Sequence, residues 1–298
     1  MRTRSAGSER ALQSTYEYSV GITNSDGHNL RKFTNENHHE LAVKSPIRSI
    51  FRRDFVSESA FRTEIRMRAK EVNEELALLR RAYPDEKISE VFTYVSNPGD
   101  PLAAYWSFRL VMNYFNGVTL EDYYTQIKDY ADLLALMLAV ALELQGIHEN
   151  GVLHGDLHAR NVLVRASDRK VKIIDFGLGY RISSRHACVT ENESALYWPP
   201  ERRVTEDDPV ENWVAPNFKQ DVFSLGWMMR DMIRRCAGLE KPQVELYHPT
   251  SPTLFIKLGR TLETLPDSRP SLGEVIQEIR CEQEQQISAN MKCCSSSS

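Results

Sequence analysis

The sequence predicts an α+β fold in two parts: a small β-rich N-lobe with one long helix, and a larger, mostly helical C-lobe. Three observations point there. Residues 16–114 carry short β-branched and aromatic runs, broken by turn clusters and by a single charged helical stretch. After Asn116-Gly117 the text changes to apolar runs at helical spacing. At roughly 100–200 residues per domain, 298 residues make two domains or one large two-lobed unit.

The elements follow in order. Residues 1–13 are polar and are expected to be disordered. Residues 16–22 and 30–34 read as paired strands around Asn24-Ser25-Asp26-Gly27, and 41–44 as a short strand. Residues 57–82 read as a helix that Ser57 caps, Glu58 favours in its first turn, and Tyr83-Pro84 ends. Strands are expected at 91–95 and 104–112, split by Asn97-Pro98-Gly99-Asp100-Pro101. Helices are expected at 120–128, 132–150, 220–236, 255–264 and 271–285, with short strands at 152–153, 162–164 and 171–174. This gives one folded domain over 14–285, with the N-lobe at 14–112, a hinge at 113–117 and the C-lobe at 118–285. Residues 286–298 read as a disordered tail.

Composition narrows the function. With 26% charged and 41% hydrophobic residues the chain is globular. A net charge of −4 supplies no global basic field, so no nucleic-acid partner is expected. A local cluster stands out: Arg48, Arg52, Arg53, Arg62, Arg66, Arg68, Lys70, Arg80 and Arg81. It reads as a solvated helix face or, more sharply, as a docking surface for a regulatory protein. The 5 cysteines are scattered, which fits a reducing compartment and a cytoplasmic protein. The first residues lack the apolar core of a signal peptide. The apolar run 133–142 is too short to span a bilayer and is expected to be a buried helix. His38-His39 reads as turn surface, and Trp198 and Trp227 as packing.

Two loops carry chemistry. One is His154-Gly155-Asp156-Leu157-His158-Ala159-Arg160-Asn161; the other is Ile173-Ile174-Asp175-Phe176-Gly177. An Asp, an Asn five residues on and an Asp nineteen residues on can converge on a metal–phosphate site. Hard oxygen ligands suit Mg²⁺, which binds through one or two carboxylates plus phosphates. The remaining Asp is free to orient a hydroxyl, and phosphoryl transfer needs little beyond positioning and charge stabilisation.

These loops resemble the catalytic loop and the D-F-G segment of eukaryotic-type protein kinases. Other segments agree in order. Leu41-Ala42-Val43-Lys44 resembles the strand of the phosphate-binding Lys, and residues 110–117 the strand leading to the hinge. Tyr197-Trp198-Pro199-Pro200-Glu201 resembles Y-x-A-P-E, and Asp221-Val222-Phe223-Ser224-Leu225-Gly226 the start of the central C-lobe helix. Asp267-Ser268-Arg269-Pro270-Ser271 resembles D-x-R-P-S. The resemblance spans residues 16–280 and implies a bilobal protein-kinase-like fold using ATP and Mg²⁺. It implies catalytic roles for Asp156, Lys44 and Asn161, with Asp156 facing the substrate hydroxyl. Asn161 and Asp175 would hold the metal. Val20, Ala42 and Leu163 would enclose adenine, beside Met112 and the backbone of Asn113 and Phe115. His154 and Phe176 would belong to a packed spine, and Glu201 would pair with Arg269.

The sequence also departs from the pattern. The phosphate-covering loop keeps only Gly21 and Gly27. The Lys44 partner is open among Glu64, Glu71, Glu74 and Glu75, with Glu74 or Glu75 favoured and Glu74 taken. Gly155 stands where the family commonly has an Arg that grips a phosphorylated activation loop. Alanine at Ser183, Ser184 and Thr190 is therefore expected to leave activity within roughly a few-fold. Ala159-Arg160-Asn161 resembles the loop ending of tyrosine kinases and His158 replaces the Lys that serine/threonine kinases place there, whereas Ser194 and Tyr197 resemble serine/threonine kinases. Phosphorylation of a protein Ser/Thr hydroxyl is favoured over Tyr. A tyrosine or dual-specificity kinase, an aminoglycoside- or choline-type phosphotransferase and a pseudokinase binding module stay open.

Overall fold

The computed structural model describes residues 16–23, 28–35, 40–46, 50–95, 99–181, 196–202, 215–236 and 252–295. The chain forms two units, Met1–Phe115 and Asn116–Ser298. Residues 1–13, Gly27, His38-His39, Ser183, Ser184, Thr190 and Ser194 lie outside the described residues.

In the first unit an antiparallel sheet runs β1(Tyr16–Thr23), β2(His28–Asn35), β3(Glu40–Pro46), β6(Tyr105–Asn113) and β4(Ile50–Phe51), and β5(Ser89–Val95) also pairs with β6. The register sets Ala42 opposite Met112 and Lys44 opposite Leu110. One long helix, α1(Glu58–Ala82), follows β4. Ser57 Oγ accepts from the Ala60 amide at 3.0 Å, satisfying one of the otherwise orphaned first-turn donors. Its C-terminal half buries Leu76, Leu78, Leu79 and Ala82. Burying a Leu contributes about 1.5–3 kcal/mol, so this end of the helix is the anchored one.

Arg48 lies outside the described residues, and among those described the basic cluster does not make a single-signed surface. Arg62 meets Glu58 at 2.7 Å, Arg68 meets Glu64 and Glu71 at 3.0 Å, and Lys70 meets Glu74 at 3.7 Å. Acids three or four residues away share the basic face, because that spacing stacks side chains one turn apart. The docking surface expected from the arginines alone is therefore charge-balanced along this stretch.

The second unit is built around α3(Tyr130–Glu149), after the short β7(Val118–Thr119) and α2(Leu120–Tyr123). Asp129 caps α3 by accepting from the Asp132 amide at 2.8 Å. Leu134, Met137, Val140, Ala141 and Leu144 of α3 are fully buried. By length and composition α3 could cross a membrane. Its burial accounts for its apolarity instead: it packs against α6(Leu272–Ser295), α4(Lys219–Cys236), β8(Val152–Leu153) and β10(Val171–Ile173). β9(Val162–Val164) pairs with β10 and β7, and β11(Tyr180–Arg181) with β8.

Helix α4 and the 3₁₀ turn after α5(Pro252–Gly259) approach so closely that a Cβ on Gly226 would lie 1.6 Å from Thr261 Oγ1. Only glycine fits there. Two expectations change. The helix read over 120–128 gives way to a 3₁₀ turn at Tyr124–Gln126, ahead of the new cap at Asp129. The last helix does not stop at 285 but continues to Ser295, since no Gly or Pro follows Gly273 to break it.

Candidate active site

In the first unit β3 projects Lys44 toward α1. Its ammonium donates to Glu75 Oε1 at 2.8 Å, with side-chain exposures of 10% and 12%. The partner is therefore Glu75, not Glu74. Adjacent helical residues point about 100° apart. Glu74 turns outward to Lys70, and Glu64 and Glu71 are taken by Arg68. Ala42 is buried and Met112 half-buried, side by side in the sheet. Val20 and Gly21 lie in β1, opposite Lys32 and Arg31. Asn113 ends β6 and is exposed, while Phe115 is half-buried. The Tyr114 amide donates to the Glu40 carbonyl at 3.0 Å, tying this segment to the start of β3.

In the second unit β8 leads into the loop of Asp156. The Asn161 amide nitrogen donates to Asp156 twice, to the backbone carbonyl at 3.0 Å and to Oδ2 at 3.3 Å. The Asp156 amide donates to His154 Nδ1 at 3.2 Å, so the other ring nitrogen carries the proton and donates to the Ile174 carbonyl at 2.9 Å. That bond links the Asp156 loop to the Asp175 loop. The His154 ring also meets fully buried Phe176 edge-on at 4.9 Å. The Ile174 amide donates to the Asn161 carbonyl at 2.9 Å, a second tie. Asp175 sits at a φ of 65°, a strained conformation for a non-glycine residue, and its Oδ1 accepts from the Gly177 amide at 3.3 Å. Leu163, in β9, is half-buried opposite Lys172.

Asp221, at the start of α4, holds the loop from behind. It accepts from the His154 amide at 2.8 Å and the Gly155 amide at 2.9 Å, and His148 Nε2 lies 2.9 Å away. Burial works to raise its pKa, but the His148 contact, the His154 ring and the Gly155 amide outweigh this and lower it.

One contact of the Asp156 carboxylate is not legible in the sequence. Trp198 was read as packing, and it is indeed buried at 4% exposure. Its indole Nε1 nevertheless donates to Asp156 Oδ1 at 2.9 Å. The signal was the indole N–H itself, a donor that a buried Trp must satisfy, inside a motif already singled out. His158 stands beside the same carboxylate: Nε2 is 3.6 Å from Oδ2, too long for a hydrogen bond but close enough for a charge to act. Burial alone would raise the Asp156 pKa. The His158 ring, the Trp198 bond and the His154 ring override it and hold it at about 2. Glu201 and Arg269 make a two-pronged pair, both contacts at 2.7 Å.

The donors suit a hard divalent cation. Asn161 commits its amide nitrogen to Asp156, so the carbonyl oxygen is the atom it could offer a cation. With the Asp175 carboxylate this makes a sparse oxygen set, fitting an ion that keeps waters and phosphate oxygens as its other ligands.

An orienting carboxylate, hard oxygens for a cation and a paired ammonium are the equipment of an ATP-dependent phosphotransferase. The chain belongs to the protein kinase domain family, whose model matches residues 51–290. That match begins after Lys44, so the Lys44–Glu75 pair rests on its own geometry. The chain is 27% identical over 183 residues to serine/threonine-protein kinase shk1/pak1 of Schizosaccharomyces pombe, covering 56% of this chain and 27% of that protein. It is 25% identical over 195 residues to serine/threonine-protein kinase Nek8 of Danio rerio, covering 59% and 26%. It is 35% identical over 102 residues to probable serine/threonine-protein kinase fnkB of Dictyostelium discoideum, covering 32% and 19%. The chain thus spans between about a fifth and a quarter of the length of these relatives.

Proposed function

We propose that this protein is a Mg²⁺-ATP-dependent protein kinase that phosphorylates Ser or Thr hydroxyls of protein substrates. The observation that carries the reading is the Asp156 carboxylate, ionised, only 18% exposed and held by Trp198 and Asn161. Such a group accepts or orients the proton of an attacking hydroxyl. Lys44, steadied by Glu75, would meet the α- and β-phosphates, and Asn161 and Asp175 would hold Mg²⁺. Held there, the metal would neutralise negative charge on the phosphate oxygens. Ala42, Leu163 and Met112 would contact adenine, beside Asn113 and Phe115.

The preference for Ser/Thr is supported by the serine/threonine-protein kinases among its relatives and by Tyr197. An intact Lys44–Glu75 pair argues against a binding module without turnover, which has no need of it. The Glu201–Arg269 brace argues against a small-molecule phosphotransferase, whose family lacks that segment. Unbridged Cys236 and Cys281 fit a reducing compartment, and we place the enzyme in the cytoplasm.

The test is a peptide-library phosphorylation assay with Asp156→Asn as control. Phosphoserine and phosphothreonine in the wild type, absent from the variant, are expected. Phosphotyrosine as the main product would reverse the substrate assignment, and transfer to aminoglycosides alone would reverse the class.

A further inference from the structure

Gly155 precedes the catalytic carboxylate at a φ of 77°, in a space already taken. A Cβ there would lie 2.4 Å from the Leu178 carbonyl oxygen and 3.0 Å from Arg202 Nη1. The cation that the family commonly carries on this residue is missing, yet a guanidinium stands beside it, delivered from 47 positions further along. Arg202 is 1% exposed, and its Cζ lies 5.4 Å from the centre of the Trp198 ring, within reach of a cation–π contact. Trp198 in turn places its Nε1 on Asp156 Oδ1.

A donor orients its acceptor only if the donor is itself held. Here the segment is fixed at both ends. Ser224 Oγ donates to the Tyr197 carbonyl at 2.8 Å, and Glu201 is gripped by Arg269. The Tyr197 ring lies edge-on to Trp198 at 6.2 Å. Pro199 and Pro200 stiffen the chain between them, since each locks its own φ. The Asp156 carboxylate is therefore clamped from two sides: Asn161 of its own loop on Oδ2, and this braced tryptophan on Oδ1. About four lone-pair sites on an ionised carboxylate leave room for a substrate hydroxyl.

We propose that Trp198, seated on Arg202 in the space that Gly155 leaves open, is a positioning residue that fixes the rotamer of the catalytic Asp156. The proposal rests on the kinase reading for its consequence and on the contact alone for its geometry. Phenylalanine at 198 keeps the ring and its cation but loses the N–H. Trp198→Phe is expected to lower kcat roughly 10- to 100-fold, the scale on which small misplacements cost rate. The KM for ATP should stay within about twofold, because no ATP contact is touched. Arg202→Met should lower kcat in the same direction, and the double variant should fall no further than about twofold below Trp198→Phe, as expected of residues acting through one contact.

A second measurement needs neither turnover nor a folded Trp198→Phe. The protein has 4 tryptophans, and ¹⁵N-indole labelling gives each its own N–H signal. Asp156→Asn should move one indole proton strongly, and the Arg202→Met variant should identify it by shifting the same signal. A kcat that is unchanged or raised in a folded Trp198→Phe overturns the proposal, as does an indole spectrum that ignores Asp156→Asn. A wild type that transfers no phosphate overturns the kinase reading instead, and leaves the indole experiment to decide the contact.

Discussion

Each unit of the molecule has one ion pair that the sequence pointed to, and the two are built differently. Lys44 meets Glu75 through a single contact at 2.8 Å, and about a tenth of each side chain is exposed. Arg269 meets Glu201 through two contacts at 2.7 Å, with the arginine side chain wholly buried. Arg269 also donates to the carbonyls of Glu263, Thr264 and Lys219, and Lys219 Nζ donates to the Arg269 carbonyl. An ammonium with three donors on a flexible stem can keep one carboxylate and still reach phosphate; a planar fork with every donor used suits a contact that never opens. On the proposed function the first pair is chemical equipment, and the second is framework.

The largest expected effect falls on the framework. Glu201→Ala leaves a buried guanidinium without its counter-charge and should cost about 3–5 kcal/mol of unfolding free energy. Thermal denaturation should show the melting point dropping by roughly 10 °C or more. An unchanged melting point would erase the distinction. Next, Lys44→Met should lower kcat/KM by roughly 10²–10³, as removal of one preorganised donor does elsewhere. Its unfolding free energy should change by less than about 2 kcal/mol, since the pair is a single, part-exposed contact.

Asp221 belongs with the framework, and pH tests this. Its folded pKa lies below the ordinary 3.8. The stability it contributes is therefore full above that value and is lost as pH falls through the folded one. Asp221→Asn should lower stability at pH 7 by about 2 kcal/mol. It should also flatten the acid limb below about pH 4, read by urea titration at several pH values. The smallest effects separate neighbours. Glu75→Ala should reduce kcat/KM about tenfold, equivalent to about 1.4 kcal/mol. Glu74→Ala, at an exposed residue paired to Lys70, should stay within about 0.5 kcal/mol in stability and leave the rate unchanged.

The choice between those two glutamates marks how far the sequence could be read. Asp156, Asn161, Asp175, Lys44, Glu201 and Arg269 announced themselves because their chemistry is tied to local motifs and spacing. Most strands and helices followed from periodicity and caps, as Ser57 shows. What stayed hidden was decided in three dimensions. Glu74 and Glu75 differ only in which side of α1 meets β3. Trp198 has the composition of a packing residue, and only its neighbour Asp156 makes its N–H matter. The arginines of α1 are balanced by glutamates one turn away, a pairing that the count of basic residues alone does not show. The end of α6 carries no stop signal, so the sequence does not mark the ten residues by which it runs past 285.

One carboxylate has a consequence in time. The His154 and Gly155 amides belong to a loop without regular secondary structure, and such amides ordinarily trade hydrogen for deuterium readily. Here both donate to buried Asp221, itself part of α4. They can reach solvent only when α4 lets go. These two loop amides should therefore exchange as slowly as those of the core helix α3, on the clock of global unfolding rather than local fraying.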